Sequence, residues 1–249
     1  MSNSNMGVSM DKCLYVIPND SIMREQLLNI DRMTKDSLAR CHKIFVPQDW
    51  QCNTMANSYI ESLIRTLELS MRQAGEVAIN FYDMFTAHVT VKTNNDAEKN
   101  GNINIEFIPG PTLQQIIGRN VADAATEEPL TDITAVFGFG DDKTNPSYAQ
   151  FSTIDRIAMM DLSEKYSITS PKDWLVTAVA YRFIENLVKY MMIALVAEDA
   201  SLVSVNFNDN IEFHAMRTDN DSVKITLRPG MNAKLLIKSD ELTEMDDEE

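Results

Sequence analysis

Apolar side chains recur at helical spacing in two long stretches of the chain. In the first stretch, one apolar face comprises Ala56, Ile60, Leu63, Ile64, Leu67 and Met71. In the second stretch, a wider face comprises Ala180, Phe183, Ile184, Leu187, Val188, Met191, Met192 and Leu195. Intervals of three and four residues predict amphipathic helices. The wider face predicts deeper burial of the second helix, between two subdomains or at the seam of a dimer.

Alternating apolar and polar residues follow each of these helices. Val77, Ile79 and Phe81 alternate with other residues, and two more segments of the same kind follow before Pro109-Gly110. A period of two predicts β-strands, and a Pro-Gly pair ends them. The second part of the chain repeats the pattern up to Pro229-Gly230. We therefore expect a three-stranded antiparallel meander after each long helix, with one face of each sheet on that helix.

The residues themselves recur along with the pattern. Ile30-Asp31-Arg32 returns 124 residues later as Ile154-Asp155-Arg156, and Trp50 returns as Trp174. Gaps in the alignment fall at a helix end and in a polar turn, where insertions are tolerated. The predicted fold class is α+β with an internal duplication, in which each copy has two helices plus a three-stranded antiparallel β-meander.

Helix-start signals differ between the two copies. The first helix is expected from Ser21 to Lys43, and the second is expected to begin at a Pro-x-Asp-Trp motif. In the second copy, Ser170 can cap this helix and Pro171 suits its first turn. Val46 replaces the serine in the first copy. The second helix of the first copy is therefore predicted to lack a side-chain cap.

These features divide the chain into five segments. Residues 1–10 are expected to be a disordered tail, 11–118 the first repeat, 119–131 a linker, 132–239 the second repeat and 240–249 an acidic tail. The first ten residues have neither a basic start nor an apolar core, so no signal peptide is expected. No apolar run approaches the ~20 residues that a membrane helix needs.

Charge is distributed unequally over the two copies. The net charge is −15, of which −3 falls on residues 1–124 and −12 on residues 125–249. Such a charge repels the phosphate backbone of nucleic acids and attracts basic protein surfaces. Direct binding of nucleic acid is therefore not expected. Cys13, Cys41 and Cys52 have no repeated counterparts, which argues against a disulfide framework and favours a reducing cytoplasm.

Two histidines form the most enzyme-like pattern in the chain. Asp83 with His88, and Asp209 with His214, combine a carboxylate and an imidazole, as general acid–base catalysis requires. Both pairs recur beside the same Asn-Phe dipeptide, and turn formation explains that pattern without chemistry. No nucleophile and no metal-ligand spacing accompany them. We therefore expect no catalytic residue, no metal and no cofactor.

Other conspicuous residues are also expected to serve the fold. Trp50 and Trp174 could stack on bases, but a tryptophan at the start of an amphipathic helix more often packs beneath it. Asp31-Arg32 and Asp155-Arg156 could bind a ligand, but a salt bridge to another element is the simpler explanation. Gly138-Phe139-Gly140 lacks the third glycine and the Lys-Ser/Thr of a nucleotide-binding loop, so an acidic turn is expected there.

Acidic clusters are the remaining candidates for a functional surface. Solubility explains any one cluster, but the set is concentrated in one half of the chain. Carboxylates on a rigid surface could take the place of phosphates opposite Arg and Lys. The partner-binding residues predicted on this basis are Asp123, Glu127, Glu128, Asp132, Asp141, Asp142, Glu198, Asp199, Asp219 and Asp221.

A family resemblance adds a biological setting. The chain has asparagine-rich turns such as residues 92–105, 15 methionines, strong acidity and a duplicated α+β plan. In these respects it resembles the degradosome-interacting proteins of giant Pseudomonas phages. The resemblance implies a homodimer in the host cytoplasm whose acidic patches bind the basic, RNA-binding segment of host ribonuclease E and inhibit RNA turnover. No motif is matched, so no binding residue is carried over from the family.

A second function class stays open beside this hypothesis. A phage RNA-binding protein could use the two sheets as a platform, with Phe81, Phe85, Phe207 and Phe213 stacking on bases. The net charge opposes this function, and the same four positions suit a core. A hydrolase or transferase is disfavoured, because no motif supports one.

Overall fold

A computed structural model of the protein describes residues 15–92, 102–117, 146–169, 175–218 and 222–238. Within these ranges the chain forms six helices and two three-stranded antiparallel sheets, so the fold class is α+β. We refer to residues 15–117 as the first half and to residues 146–238 as the second half. The predicted tail 1–10, linker 119–131 and acidic tail 240–249 lie outside the described residues, and those boundaries stay predictions.

The order of elements is the same in both halves. The first half contains α1 (Ser21–His42), α2 (Gln51–Ala74), β1 (Glu76–Phe81), β2 (Phe85–Lys92), β3 (Asn102–Pro109) and α3 (Pro111–Ile117). The second half contains α4 (Pro146–Tyr166), α5 (Leu175–Ala197), β4 (Leu202–Phe207), β5 (Ile211–Arg217), β6 (Val223–Pro229) and α6 (Met231–Lys238). Each half thus has the two predicted helices and meander, followed by a short helix. The start of α2 differs from the prediction, because the helix begins after the Pro-x-Asp-Trp motif.

An aspartate from the first helix caps the second helix in each half. The carboxylate of Asp31 accepts hydrogen bonds from the backbone N–H groups of Trp50, at 2.9 Å, and Asn53, at 2.8 Å. Asp155 accepts bonds from the backbone N–H of Thr177, at 2.9 Å, and from its hydroxyl, at 2.6 Å. Both aspartates are buried. The residue at the start of α2 gives no side-chain cap, as predicted, but α1 supplies one across the core.

Asp31 should make stability depend on pH in the acidic range. Burial raises its pKa to about 6, although the hydrogen bonds from Asn53 and Trp50 lower it. The folded protein therefore holds a proton between about pH 4 and pH 6 that the unfolded chain releases, so stability from this group falls as pH rises. Relative to Asp31→Asn, the wild type should lose about 2 kcal/mol of unfolding free energy between pH 4 and pH 7.

Urea denaturation of both proteins across this pH range measures the difference. Asp31→Asn also loses one hydrogen bond at every pH. The test therefore depends on how the difference in unfolding free energy between wild type and variant changes with pH. Asp49→Asn is the matched control, and the pH dependence of its effect on stability should have the opposite sign. Hydrogen bonds from Lys35 and Arg32 hold the pKa of Asp49 below its usual range. Stability from Asp49 is lost as pH falls. A pH-independent difference for Asp31→Asn would contradict the prediction.

The two sheets direct their aromatic residues into the core. Strand order is β1-β2-β3 in one sheet and β4-β5-β6 in the other. Phe81, Phe85, Phe207 and Phe213 are all fully buried. Their rings therefore cannot stack on bases at the protein surface, and the core interpretation of these positions is correct.

Each half completes its core with helices of the other half. Helix α1 packs along α5, α4 packs along α2, and β3 lies beside β6. Polar contacts mark both crossings: the Asn186 side chain donates to the Thr34 hydroxyl at 3.3 Å, and Arg65 lies 3.3 Å from Asp161. The wide apolar face of α5 is therefore buried between the two halves of one chain.

The hairpin turns contact the opposite half in two chemically different ways. The aromatic ring of Tyr82, in the β1–β2 turn, stacks on Phe151 with ring centroids 4.4 Å apart and meets Tyr181 edge-on at 6.2 Å. The β4–β5 turn instead makes an amide network with α2. In that network Asn208 donates to Asn53 at 3.1 Å, Asn210 donates to Asn57 at 2.9 Å, and Asn232 donates to Glu61 at 3.0 Å. Related positions thus join the halves through rings on one side and through amides on the other.

Candidate partner-binding surface

Two of the predicted partner-binding residues, Glu198 and Asp199, lie in the part of the chain that the structure describes. The other predicted residues lie outside it, and these are Asp123, Glu127, Glu128, Asp132, Asp141, Asp142, Asp219 and Asp221. Among the described residues, the candidate surface therefore centres on the turn that joins α5 to β4.

The α5–β4 turn presents both of its carboxylates to solvent. Asp199 has a φ of 46°, in the left-handed region that aspartate tolerates better than most residues. Its side chain is 92% exposed and lies 3.0 Å from the guanidinium of Arg217, which also donates to the carbonyl of Leu195 at 2.8 Å. An exposed ion pair of this kind contributes about 0–1 kcal/mol. Arg217 therefore neutralises Asp199 only weakly.

Helix α1 brings a further carboxylate to this turn. Burial raises the pKa of the Tyr190 hydroxyl, and the nearby charges of Glu198 and Glu25 raise it further, while a hydrogen bond with Asn29 lowers it. Glu25 and Glu198 thus both act electrostatically on the same phenol, although they are far apart in sequence. Both are exposed, and neither forms an ion pair within the described residues.

Exposed apolar side chains adjoin the acidic turn. Leu202 and Met216 are partners across β4 and β5, and they are 52% and 47% exposed. The side chain of Gln26 donates to the carbonyl of Ser204 at 3.3 Å, which joins α1 to the edge of β4. Ile22 lies one helical turn before Gln26 on the same face of α1 and is also exposed. We name this the α1–β4 surface, formed by Ile22, Glu25, Glu198, Asp199, Leu202 and Met216.

The described part of the protein is almost neutral overall. It contains 18 acidic and 17 basic residues, a net charge of −1. The residues outside the described ranges therefore carry −14 of the total −15. Among the residues that the structure describes, acidic and basic side chains are thus nearly balanced in number.

Both Asp–His pairs are separated by the structure. The backbone N–H of Asp83 donates to the Asn80 side chain at 2.9 Å, and Asn80 donates back to the Asp83 carboxylate at 2.8 Å. Asp209 makes the same two contacts with Asn206. Both aspartates have positive φ in tight turns. Turn formation is therefore their role in the structure, as expected.

A group of three polar side chains on the second sheet, Ser204, His214 and Glu212, was not predicted from the sequence. The hydroxyl of Ser204 lies 2.8 Å from Nδ1 of His214, and Nε2 of His214 lies 3.5 Å from Glu212. The group has the residue types of a hydrolase triad, but it lies on the open face of a sheet with an exposed serine. Such catalysis needs aligned donors in a site that excludes water. In the first half, Ala78 stands in the place of the serine.

The repeated Asp-Arg and Trp features serve the fold in the first half. Arg32 makes two hydrogen bonds to one carboxylate oxygen of Asp49, at 3.1 and 2.8 Å, and Lys35 binds the other oxygen at 2.8 Å. The predicted salt bridge to another element is therefore confirmed for Arg32. Trp50 is partly buried against the core, while Trp174 lies outside the described residues.

A buried ion cluster lies between α1 and α5. Glu185 pairs with Arg182 on one side and with Lys189, at 2.8 Å, on the other. Nε2 of His42, on α1, lies 3.0 Å from the Arg182 guanidinium. Arg182 and Glu185 are fully buried. Because desolvation offsets the attraction between buried charges, the cluster adds little net stability.

The fold and the surface define an α+β protein with two three-stranded sheets and an acidic, partly apolar face. No protein-family model matches the chain, and no curated protein or solved structure matches it either. Within the described ranges, His, Cys, Asp and Glu nowhere form a group of three that could hold a metal ion. None of the described helices has the length and apolarity needed to cross a membrane.

Proposed function

We propose that this protein is a non-enzymatic phage protein that binds a basic, Arg-rich segment of a host protein through acidic surfaces. In the family that the chain resembles, the partner is the RNA-binding segment of ribonuclease E, within the RNA degradosome of the host. Occupation of that segment excludes RNA from the nuclease and inhibits RNA turnover in the host cytoplasm.

The segregation of charge carries this proposal. A chain with −3 on residues 1–124 and −12 on residues 125–249 differs from a uniformly acidic protein, whose charge serves solubility everywhere. Concentrated carboxylates attract Arg and Lys side chains at long range and speed association with a basic partner. They also repel RNA, which suits a protein that competes with RNA for the same basic segment.

Unpaired carboxylates on the folded body support the same function. Glu25 and Glu198 have no ion pair within the described residues, and Asp199 has one exposed ion pair. A basic side chain can therefore bind them without first displacing strong internal partners. The predicted acids outside the described residues, Asp123 to Asp142 and Asp219 to Asp221, belong to this proposal on their charge alone.

The architecture is proposed to derive from duplication, with a homodimer as the functional state. Asp31 and Asp155 cap equivalent helices, and both lie 22 residues before the capped residue. Gly110 and Gly230 each make the same backbone hydrogen bond to the preceding hairpin turn. These matched details support a common origin of the two halves. The homodimer rests on the family resemblance.

Neutralising acids should weaken binding of the Arg-rich segment of ribonuclease E. We expect about a tenfold loss of affinity in the test variant, since four carboxylates each contribute a few tenths of a kcal/mol. The test variant replaces Glu127, Glu128, Asp141 and Asp142 by their amides. The control variant makes the same change in charge at Asp36, Glu76, Glu106 and Glu164, which are exposed on the folded body. Isothermal titration at about 0.05 M and about 0.3 M salt measures both the affinity and its salt dependence.

Three results would oppose the proposal. Equal losses in the test and control variants would show that only net charge matters. A complex that is insensitive to salt would exclude an electrostatic mechanism. Tight binding of RNA to the protein itself at physiological salt would favour the RNA-binding alternative, although its predicted stacking residues are buried.

A further inference from the structure

The α1–β4 surface combines exposed apolar side chains with exposed carboxylates. Leu202 and Met216 stand side by side on the outward face of the second sheet, where water covers about half of each side chain. Glu25 is next in sequence to Gln26, whose side chain contacts Ser204 on β4, and Glu198 lies four residues before Leu202. An exposed apolar pair beside carboxylates that lack ion pairs is typical of an interaction surface.

We propose that the α1–β4 surface docks a basic segment of a partner protein, whose apolar side chains contact Leu202 and Met216 while its Arg or Lys side chains bind Glu25 and Glu198. This inference rests on the proposed function and deepens it. It assigns a folded docking face and requires apolar residues as well as charge in the partner.

Charge complementarity selects this occupant. An acidic peptide or a nucleic acid would meet Glu25, Glu198 and Asp199 and be repelled. A wholly apolar occupant would cover these carboxylates without replacing their hydration, which is costly. A basic segment compensates the carboxylates as it covers them. At the edge of the surface, its guanidinium groups can also compete with Arg217 for Asp199, because that ion pair is exposed.

The apolar pair, Leu202 and Met216, increases the affinity of the contact and fixes the alignment of the bound segment. Individual exposed ion pairs contribute little, so a charged surface alone binds weakly and without a fixed alignment. Side chains on facing positions of neighbouring strands lie about 5 Å apart and form one continuous patch. Leu202 and Met216 therefore provide a central anchor with carboxylates around it, as in interfaces where a few buried side chains dominate.

Two synthetic peptides with equal numbers of arginines test this inference on the full chain. One alternates Arg with Leu, the other alternates Arg with Ser, and fluorescence anisotropy measures their affinities. The wild type should bind the Arg–Leu peptide about tenfold more tightly. The double substitution Leu202→Ser with Met216→Ser should abolish this preference and leave the Arg–Ser affinity unchanged. Glu25→Gln with Glu198→Gln should weaken both peptides, by about threefold for the Arg–Leu peptide.

A matched apolar control is available on α2 and α4. Leu69 and Met160 are each 57% exposed, and Leu69→Ser with Met160→Ser should leave both affinities and the preference unchanged. Chemical shift perturbation of backbone amides, recorded with the Arg–Leu peptide, should centre on residues 198–204 and 214–217. Circular dichroism of each variant verifies that it is folded.

The possible outcomes separate this inference from the proposed function. If the Leu202 and Met216 variant keeps the Arg–Leu preference, the α1–β4 surface is not the docking face, even where neutralising residues 127–142 weakens binding. If neither peptide binds the wild type, the inference and the proposed function both fail. If the variants change the molecular mass measured by light scattering and not peptide binding, the surface joins two copies of the chain and the inference is overturned.

Discussion

Gly230→Ala is expected to lower the free energy of unfolding by about 4 kcal/mol or more, which is enough to unfold a marginally stable protein. A Cβ atom at this position would lie 2.0 Å from the backbone oxygen of Asp209. The two segments cannot separate easily, because Gly230 donates to the carbonyl of Asn210 at 2.9 Å and Asn232 donates to that of Asp209 at 2.9 Å. The clash is therefore between backbone atoms held together by hydrogen bonds.

Two other glycines serve as comparisons: Gly110, the equivalent position in the first half, and Gly75, which has no close neighbour. Gly110→Ala should be similarly severe, since its Cβ would lie 2.1 Å from the backbone oxygen of Asp83. Gly75, which ends α2, has a φ of 74° but open space around it. Gly75→Ala should therefore cost only about 1–2 kcal/mol. Urea denaturation followed by circular dichroism compares the three variants, and similar losses in all of them would rule out the backbone clash as the cause.

Glu185→Gln is expected to cost about 3–5 kcal/mol, because it leaves Arg182 and Lys189 without their shared carboxylate inside the helix layer. Replacing the whole cluster should behave differently. The triple variant Arg182→Met, Glu185→Leu and Lys189→Met removes all the buried charge, so its stability should be close to that of the wild type or higher. Thermal and urea denaturation of both variants measure the two effects.

A surface ion pair provides the comparison for the buried cluster. Asp49→Asn breaks the partly exposed contacts with Arg32 and Lys35 and should cost about 1 kcal/mol or less at neutral pH. If Glu185→Gln were no more harmful than Asp49→Asn, the buried cluster would be solvated in solution. If the triple variant unfolded, packing around the charged side chains would matter more than their charge.

Local patterns predict the strands and long helices of this fold well. Ile79 and Phe81 alternate with exposed neighbours, and they are buried as a period of two requires. The Pro-Gly pairs end the third strand of each sheet. These features depend on residues within one element, so sequence spacing carries them. Spacing also indicated that α5 is more deeply buried than an ordinary surface helix.

Contacts between distant elements could not be predicted from spacing. Asp31 caps a helix that begins 20 residues later, and nothing local to the start of α2 indicates this. The recurrence of Asp31 as Asp155 was the available signal, but a salt bridge explained it equally well. Arg182 and Glu185 lie opposite the apolar face of α5, where sequence spacing predicts exposure to solvent. Helix α1 from the other half covers that face, and the two side chains are buried.

Candidate site residues were only partly accessible to sequence reasoning. Charge runs identify Glu198-Asp199, because these residues are neighbours in the chain. Glu25 was missed, since it has no acidic neighbour in sequence and α1 approaches the end of α5 only through the packing of the two helices. Leu202 and Met216 have no feature in the sequence that distinguishes them from buried strand residues. Their exposure depends on which face of the sheet meets the core.

The crossed packing of α1 on α5 and of α4 on α2 affects how the chain emerges from the ribosome. The face of α1 that packs on α5 stays uncovered until α5, which ends at Ala197, has been synthesised. At about 5–20 residues per second, the roughly 120 residues between the ends of α2 and α5 require about 6–25 s. During that interval the nascent first half presents uncovered apolar helix faces. Protection by a ribosome-associated chaperone would therefore matter most at this stage of synthesis.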